Sequence, residues 1–479
     1  MKEVLQIFMS QTAAFFNYLI LFYALGICLY YVVLAAVSAI AMYRYKKKNS
    51  FVDYRIILSS PFAPSVSLIA PAYNESLTIV DNVRSLLTLH YNNYEVIIVN
   101  DGSKDNTMDL LIEAYELEKV DFALDVQLAT KPVRGIYKAR NPAYQKLIVV
   151  DKENGGKADA LNVGINVSKN NLIACIDVDC ILESDSLLKL VKPFMEEDRK
   201  VIATGGVVRI ANSCVVEDGQ LVSVHVPDKF IARVQVLEYF RAFLMGRMAW
   251  THIDGLLLIS GAFGMFDKDT VIRAGGYNHK TVGEDMELLV RMRRLMYDEK
   301  VPCKVAFIPD PLCWTEAPQT YNILKRQRNR WTRGTIETLM LHRKMILNRR
   351  YGIHGLVSLP FWVLFEWLAP LIEFFGLLFF LVLVAFGFAN FTYFFSFLGL
   401  VYAFAVMTSV FAIVFEERSF QQYKKPKHML SLVGTALLEP IIFHPVVIWS
   451  AIMGNYDLMT GKNNSWGEMT RTGFAQKKK

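Results

Sequence analysis

No feature constrains this chain more than residues 13–42, which contain no acidic or basic side chain. A helix crosses the hydrocarbon core with about 20 apolar residues, so this stretch spans as one long or tilted helix. It is too long for a signal-peptide core and has no convincing cleavage site. The basic run RYKKK (44–48) follows it. Basic residues flank cytoplasmic ends, so the chain beyond is expected in the cytosol. A second apolar region, 356–415, breaks near residues 387–390 and reads as two spans, 356–386 and 391–415. A third, 429–453, is interrupted by Glu439-Pro440 and His444-Pro445 and reads as a span kinked at its prolines. Four spans place both termini outside, yet the chain ends in QKKK, so the side of the C-terminus stays open. The 53% apolar and 20% charged content agrees with a membrane protein.

The middle of the chain has a different texture. Within 60–310, short β-branched runs (SVSLIA, YEVIIVN, KLIVV, NLIACID, VIATGGVVRI) alternate with helical patterns at 76–89 and 185–195. That alternation predicts an α/β domain with a mostly parallel sheet, whose ligands bind beyond the carboxyl ends of the strands. Asp101, Asp177 and Asp179 fall at such ends. The six cysteines show no metal-ligand spacing, which fits a reduced compartment. The net charge of +7 suits membrane flanks or an anionic substrate and gives no sign of nucleic acid. Two stretches, 228–250 and 335–350, mix aromatic and basic residues at helical spacing and read as interfacial helices.

The DVD at 177–179 poses a chemical question. Residues i and i+2 of a strand share a face, so Asp177 and Asp179 are expected side by side, where like charges repel unless a cation or protons intervene. Mg²⁺ and Mn²⁺ take oxygen ligands, commonly one or two carboxylates plus substrate phosphates. Glu366 and Glu373, seven residues apart in an apolar segment, share a helix face, and ionisable groups there usually line a polar path.

PAYNES (71–76), NDGSKDNT (100–107), ENGGKADALN (153–162), DVD, GAFGMF (261–266), GEDMEL (283–288) and QRNRW (327–331) occur in one order. With spans on both sides, the chain resembles the membrane-embedded family 2 glycosyltransferases, the group of the cellulose, hyaluronan and poly-N-acetylglucosamine synthases. The resemblance covers about residues 60–335, and ENGGKADALN and GAFGMF look most like the last group. It implies an α/β GT-A fold (Rossmann-like, mostly parallel) joined to α-helical transmembrane segments. The expected division is 1–48, N-terminal helix and basic flank; 60–310, cytosolic catalytic domain; 311–352, QxxRW segment and interfacial helix; 353–457, about three spans; and 458–479, a polar basic tail.

The resemblance also implies roles. Asp177 and Asp179 match the DxD pair that holds Mg²⁺ or Mn²⁺ against the diphosphate of a nucleotide sugar. Asp101 matches an aspartate that hydrogen-bonds uracil, hence a UDP donor. Ala72, Asn74, Glu75, Lys157 and Asp159 match further donor contacts. Asp285, with Glu284 beside it, matches the base that takes the acceptor proton. Gln327, Arg330 and Trp331 match the QxxRW motif, which meets diphosphate and acceptor in enzymes that extend a chain processively. The expected enzyme is an inverting hexosyltransferase, multi-pass in the inner membrane with its catalytic domain in the cytosol. It would transfer from a UDP-sugar, with UDP-GlcNAc indicated by resemblance alone, to a growing polysaccharide, coupled to export and served by accessory subunits. Two rivals stand beside it. One is a non-processive transferase acting on a lipid carrier, against which QRNRW and the several C-terminal spans argue. The other is an inactive transporter or scaffold, against which intact Asp177, Asp179 and Asp285 argue.

Overall fold

The structure, a computed structural model, describes residues 2–461 apart from 51, 218 and 424, so the QKKK ending lies outside the described residues. Twelve strands are present among them: β1 (Val66–Ala72), β2 (Tyr94–Asn100), β3 (Leu117–Val120), β4 (Val133–Ala139), β5 (Leu147–Lys152), β6 (Leu172–Ile176), β7 (Ile181–Leu182), β8 (Lys200–Ile210), β9 (Val215–Glu217), β10 (Gln220–Ser223), β11 (Phe263–Asp267) and β12 (Cys303–Thr315). Strands β9 and β10 form a separate hairpin, and the rest form one sheet in the order β3-β4-β5-β2-β1-β6-β11-β8-β12-β7.

The four central strands, β5-β2-β1-β6, are parallel. They are the Val/Ile/Leu-rich runs, buried on both faces as parallel strands covered by helices must be. The flanks depart from the parallel expectation. β3, β4 and β11 each pair antiparallel with their neighbours, as does β7 with β12, while β8 and β12 are parallel. The helices expected at 76–89 and 185–195 run Ile79–Leu87 and Ser186–Glu196.

Among the described residues, four helices are long and apolar enough to cross a membrane: Gln11–Asn49, His354–Ala385, Phe391–Ser419 and Pro426–Met459. The break near 387 has a local cause. Gly387 takes a positive φ of 75° after one helix, and the Asn390 side chain accepts the Tyr393 N–H to cap the next. The expected proline kink is a wide π-turn over Glu439–Phe443.

The segment read as interfacial at 228–250 is helical, with a π-turn over Phe240–Arg247. Phe240, Phe243, Leu244 and Met245 are buried inside the protein, and its arginines reach the C-terminal helices: Arg233 donates to Thr435 Oγ1 at 2.7 Å and Arg241 to Glu439 Oε2 at 2.9 Å. It joins the soluble domain to the apolar helices.

Candidate active site

The loops after β1, β2 and β5 converge at the carboxyl edge of the parallel strands. Asn74 N–H donates to Ser103 Oγ at 3.0 Å, Asn74 Oδ1 accepts Lys104 N–H at 2.9 Å, and Glu75 N–H donates to Thr107 Oγ1 at 2.9 Å. Ala72 ends β1, and its carbonyl accepts Asp101 N–H at 2.9 Å. The Asp101 carboxylate turns inward. It accepts the N–H groups of Gly155 and Gly156 at 2.9 and 2.8 Å and the Lys152 ammonium at 2.6 Å. Lys152, fully buried, also meets Asp159 at 2.7 Å. Burial pushes the Asp101 carboxyl up, against the opposing pull of Lys152 and the two N–H donors. Asp101, Lys152 and Asp159 thus form a buried knot that shapes the 153–157 loop. The Lys152 contribution was not anticipated from sequence.

That loop delivers Lys157, the first residue of the helix Lys157–Val167. Its ammonium pairs with Asp177, donates to the Gly261 carbonyl at 3.3 Å, and lies 3.9 Å from Glu284. Burial disfavours the ammonium, but Asp177 and Glu284 outweigh it and hold the Lys157 pKa above its ordinary value.

Asp177 and Asp179 are placed differently from the strand-face expectation. β6 ends at Ile176, and both acids sit in the tight turn that leads to β7. Asp177 N–H donates to the Ala262 carbonyl at 3.2 Å, which fixes this turn to the GAFGMF segment. Both acids still line one cavity, so the turn achieves what the pleat was expected to do.

Asp285 enters from the first turn of the helix Glu284–Asp298, where the helix dipole favours a carboxylate. Its Oδ2 accepts the Gly261 N–H at 2.9 Å. Glu284 is buried beside it. Burial raises its pKa to about 7, with Asp285 adding to the rise and Lys157 opposing it. Gly283, before this helix, touches Gly334 of the helix Tyr321–Leu341: a Cβ on Gly334 would lie 2.7 Å from the Gly283 Cα. Glu337, on the same helix, accepts the Thr281 hydroxyl at 2.7 Å and the Val282 N–H at 2.9 Å. GED and QRNRW are therefore locked together backbone to backbone.

Gln327, Arg330 and Trp331 lie on that second helix. The Gln327 Oε1 is buried with no hydrogen-bond partner among the described residues. Trp331 is 41% exposed, with the Arg328 guanidinium 4.2 Å from its ring centroid. Asn329 donates to Asp457 at 2.8 Å, which ties the motif to the last apolar helix.

One cavity of ≈ 1690 Å³ is lined by Lys157, Asp177, Asp179, Glu284, Asp285, Gln327, Arg330 and Trp331. It continues between the apolar helices past Tyr23, Tyr30, Phe365, Glu366, Glu373 and Tyr402. Glu366 and Glu373 both line it, and Glu373 accepts from His444 at 2.7 Å. Ala72, Asn74, Glu75, Asp101 and Asp159, expected as donor contacts, do not line it. Arg247, absent from the sequence expectations, does line it.

The chain is similar to several known proteins. The description "Glycosyl transferase family 2" matches residues 67–220, and "Glycosyl transferase family group 2" matches residues 172–407. Poly-beta-1,6-N-acetyl-D-glucosamine synthase of Staphylococcus aureus (strain COL) is 27% identical over 328 residues, 68% of this chain and 66% of that protein. The protein of the same name from Staphylococcus epidermidis matches with the same identity and coverage. The match thus spans just under two thirds of these relatives' length. Among solved structures, a mannosyltransferase from Pyrobaculum calidifontis in complex with GDP-Man and Mn2+ aligns with a TM-score of 0.45 at 16% identity, over 90% of this chain and 99% of that one.

Proposed function

The chain belongs to glycosyltransferase family 2; on that premise we propose that it carries a GT-A-type catalytic domain and extends a polysaccharide from a UDP-sugar donor at the membrane. The observation that carries this reading is the continuous cavity. Carboxylates suited to donor and base chemistry share it with the aromatic and acidic lining of the apolar helices. Relatives named for a poly-N-acetylglucosamine product support N-acetylglucosamine as the sugar, and so UDP-GlcNAc as the proposed donor; in this reading the same cavity offers the nascent chain a route toward the opposite face.

The reaction is an inverting displacement. The acceptor hydroxyl oxygen attacks the anomeric carbon, the bond to the UDP phosphate oxygen breaks, and the hydroxyl proton passes to Asp285. Gly261 N–H on Oδ2 holds that carboxylate in place. Arg330 and Lys157 offset the charge of the leaving diphosphate. Trp331 supplies a flat face for the acceptor sugar. The Asp101–Lys152–Asp159 knot fixes the loop over which the nucleoside lies.

Asp177 and Asp179 fit a divalent cation shared with a diphosphate. Both are oxygen donors on the wall of one cavity, and one or two carboxylates plus substrate phosphates commonly hold such a cation. When bound there, Mg²⁺ or Mn²⁺ supplies Lewis-acid stabilisation of the departing UDP. The apolar helices and the basic flank 44–48 support a multi-pass protein with a cytosolic catalytic domain.

The test is UDP release by the detergent-purified chain with UDP-GlcNAc, UDP-glucose, UDP-glucuronate or UDP-galactose and Mn²⁺ or Mg²⁺, beside Asp285→Asn. One donor should turn over, need the metal and fail in the variant. No release from any donor, or release unaffected by Asp285→Asn, would overturn the reading.

A further inference from the structure

Arg247 closes the π-turn Phe240–Arg247 and lines the cavity that Asp285 and the apolar helices also line. Its guanidinium lies over the Phe243 ring, 3.9 Å from the centroid. Two of its nitrogens, Nε and Nη1, are shut off from solvent and have no hydrogen-bond partner among the described residues. The other arginines of this segment are engaged: Arg233 donates to Thr435, and Arg241 pairs with Glu439 and Ser409. Burial pulls the Arg247 pKa down to about 10, and Asp285 and Glu366 pull it back only in part. The group is thus charged at neutral pH, yet no ion pair holds it among the described residues.

A buried guanidinium without acceptors is unfavourable unless something else supplies them. Asp285, the expected base, and Glu366, which lines the path between the apolar helices, share the cavity wall with Arg247, and the charges of both act on its guanidinium. Lys157, expected at the donor phosphates, is by contrast paired with Asp177 and lies 3.9 Å from Glu284. Arg247, with donors unused, thus lines the cavity together with Asp285, the expected base, and Trp331, the expected acceptor platform.

We propose that Arg247 is an acceptor-binding residue, donating to hydroxyl and acetamido carbonyl oxygens of the terminal sugars of the growing chain and so holding the acceptor hydroxyl toward Asp285. Phe243 beneath it keeps the guanidinium flat and aimed. This rests on the transferase reading above.

The experiment compares wild type, Arg247→Gln and Arg247→Lys as full-length purified chains. The donor is the one that wild type turns over, and the acceptor is an added N-acetylglucosamine oligosaccharide. UDP affinity in the presence of Mn²⁺ is measured alongside. Arg247→Gln is expected to raise the acceptor KM at least about tenfold, with the loss falling on KM more than on kcat and UDP affinity within about twofold of wild type. Arg247→Lys, which keeps the charge but loses the planar fork, is expected between the two. An unchanged acceptor KM in either UDP-binding variant overturns the proposal. Loss of UDP binding in both variants also overturns it, because it assigns Arg247 to the fold. A wild-type chain that turns over no donor defeats the transferase reading first, and this proposal with it.

Discussion

The Gly283–Gly334 contact invites a substitution whose effect can be worked from distances. An alanine at 334 would place its Cβ 2.7 Å from the Gly283 Cα, 2.8 Å from its nitrogen and 3.3 Å from the Val282 carbonyl carbon. Non-bonded carbons rest at about 3.5–4.0 Å, so the helix carrying QRNRW and the loop carrying GED must part by about 1 Å. Backbone atoms make this contact, so no side chain can swing aside. Glu337 also pins Thr281 and Val282 to the same helix, so the shift is passed to Asp285. Overpacking costs about 1–3 kcal/mol, which a domain stable by roughly 5–15 kcal/mol survives. A misplacement of about 1 Å between reacting groups costs on the order of 10²-fold in rate. Gly334→Ala should therefore purify folded, still bind UDP, and release UDP about 100-fold more slowly at saturating donor. Gly434→Ala is the control. It lies in a helix with nothing within 4 Å of the added carbon, and should leave the rate unchanged. A folded Gly334→Ala chain with wild-type turnover would refute the claim that this contact sets the spacing of base and acceptor platform.

Other expectations follow from the same geometry. Lys152→Met removes the ammonium between two buried carboxylates; it should destabilise the chain by about 3–5 kcal/mol, read as a lowered thermal midpoint. Glu284 titrates near 7 in the fold against an ordinary 4.5, so the native state keeps a proton that the unfolded chain releases. That contribution is full below pH about 4.5 and is lost as pH rises toward 7. Glu284→Gln should thus gain thermal stability relative to wild type at pH 8, with the gap shrinking toward pH 5; a gap independent of pH would contradict the assignment. Asp285→Asn should lower turnover by about 10²–10⁴-fold while leaving UDP binding intact. Asp179→Asn should weaken Mn²⁺-dependent UDP binding, read by titration calorimetry with and without the metal.

Much of this architecture is legible in the sequence because it rests on local chemistry. The β-branched runs that became the parallel centre are apolar enough to be buried on both faces, and the breaks at Gly387 and Pro440 are set by single residues. The motif residues that line the cavity, Lys157 to Trp331, carry their chemistry in their side chains. What stayed hidden depends on tertiary contact. Two glycines more than fifty positions apart give no hint in sequence that they touch. Asp177 and Asp179 were assigned to a strand face because alternation is the local rule, whereas the chain had already turned. The antiparallel flanks follow from which edge each strand finds. Lys152 ends β5, and nothing around it in the sequence marks it as the centre of a buried ion knot. Arg247 was submerged in an amphipathic pattern that read as a membrane surface, since the same mix of aromatic and basic residues also suits a helix lining a polar cavity.

The most direct test of the central claim is the size of the product. The purified chain, reconstituted in vesicles with its catalytic domain outward, would be given radiolabelled UDP-GlcNAc and Mn²⁺, and the product sized before and after digestion with a hexosaminidase. The account predicts a polymer of many sugars that lengthens with time, is degraded by the enzyme, and is absent from Asp285→Asn vesicles. A product that stops at one added sugar on a lipid would contradict it and point to a lipid-carrier transferase.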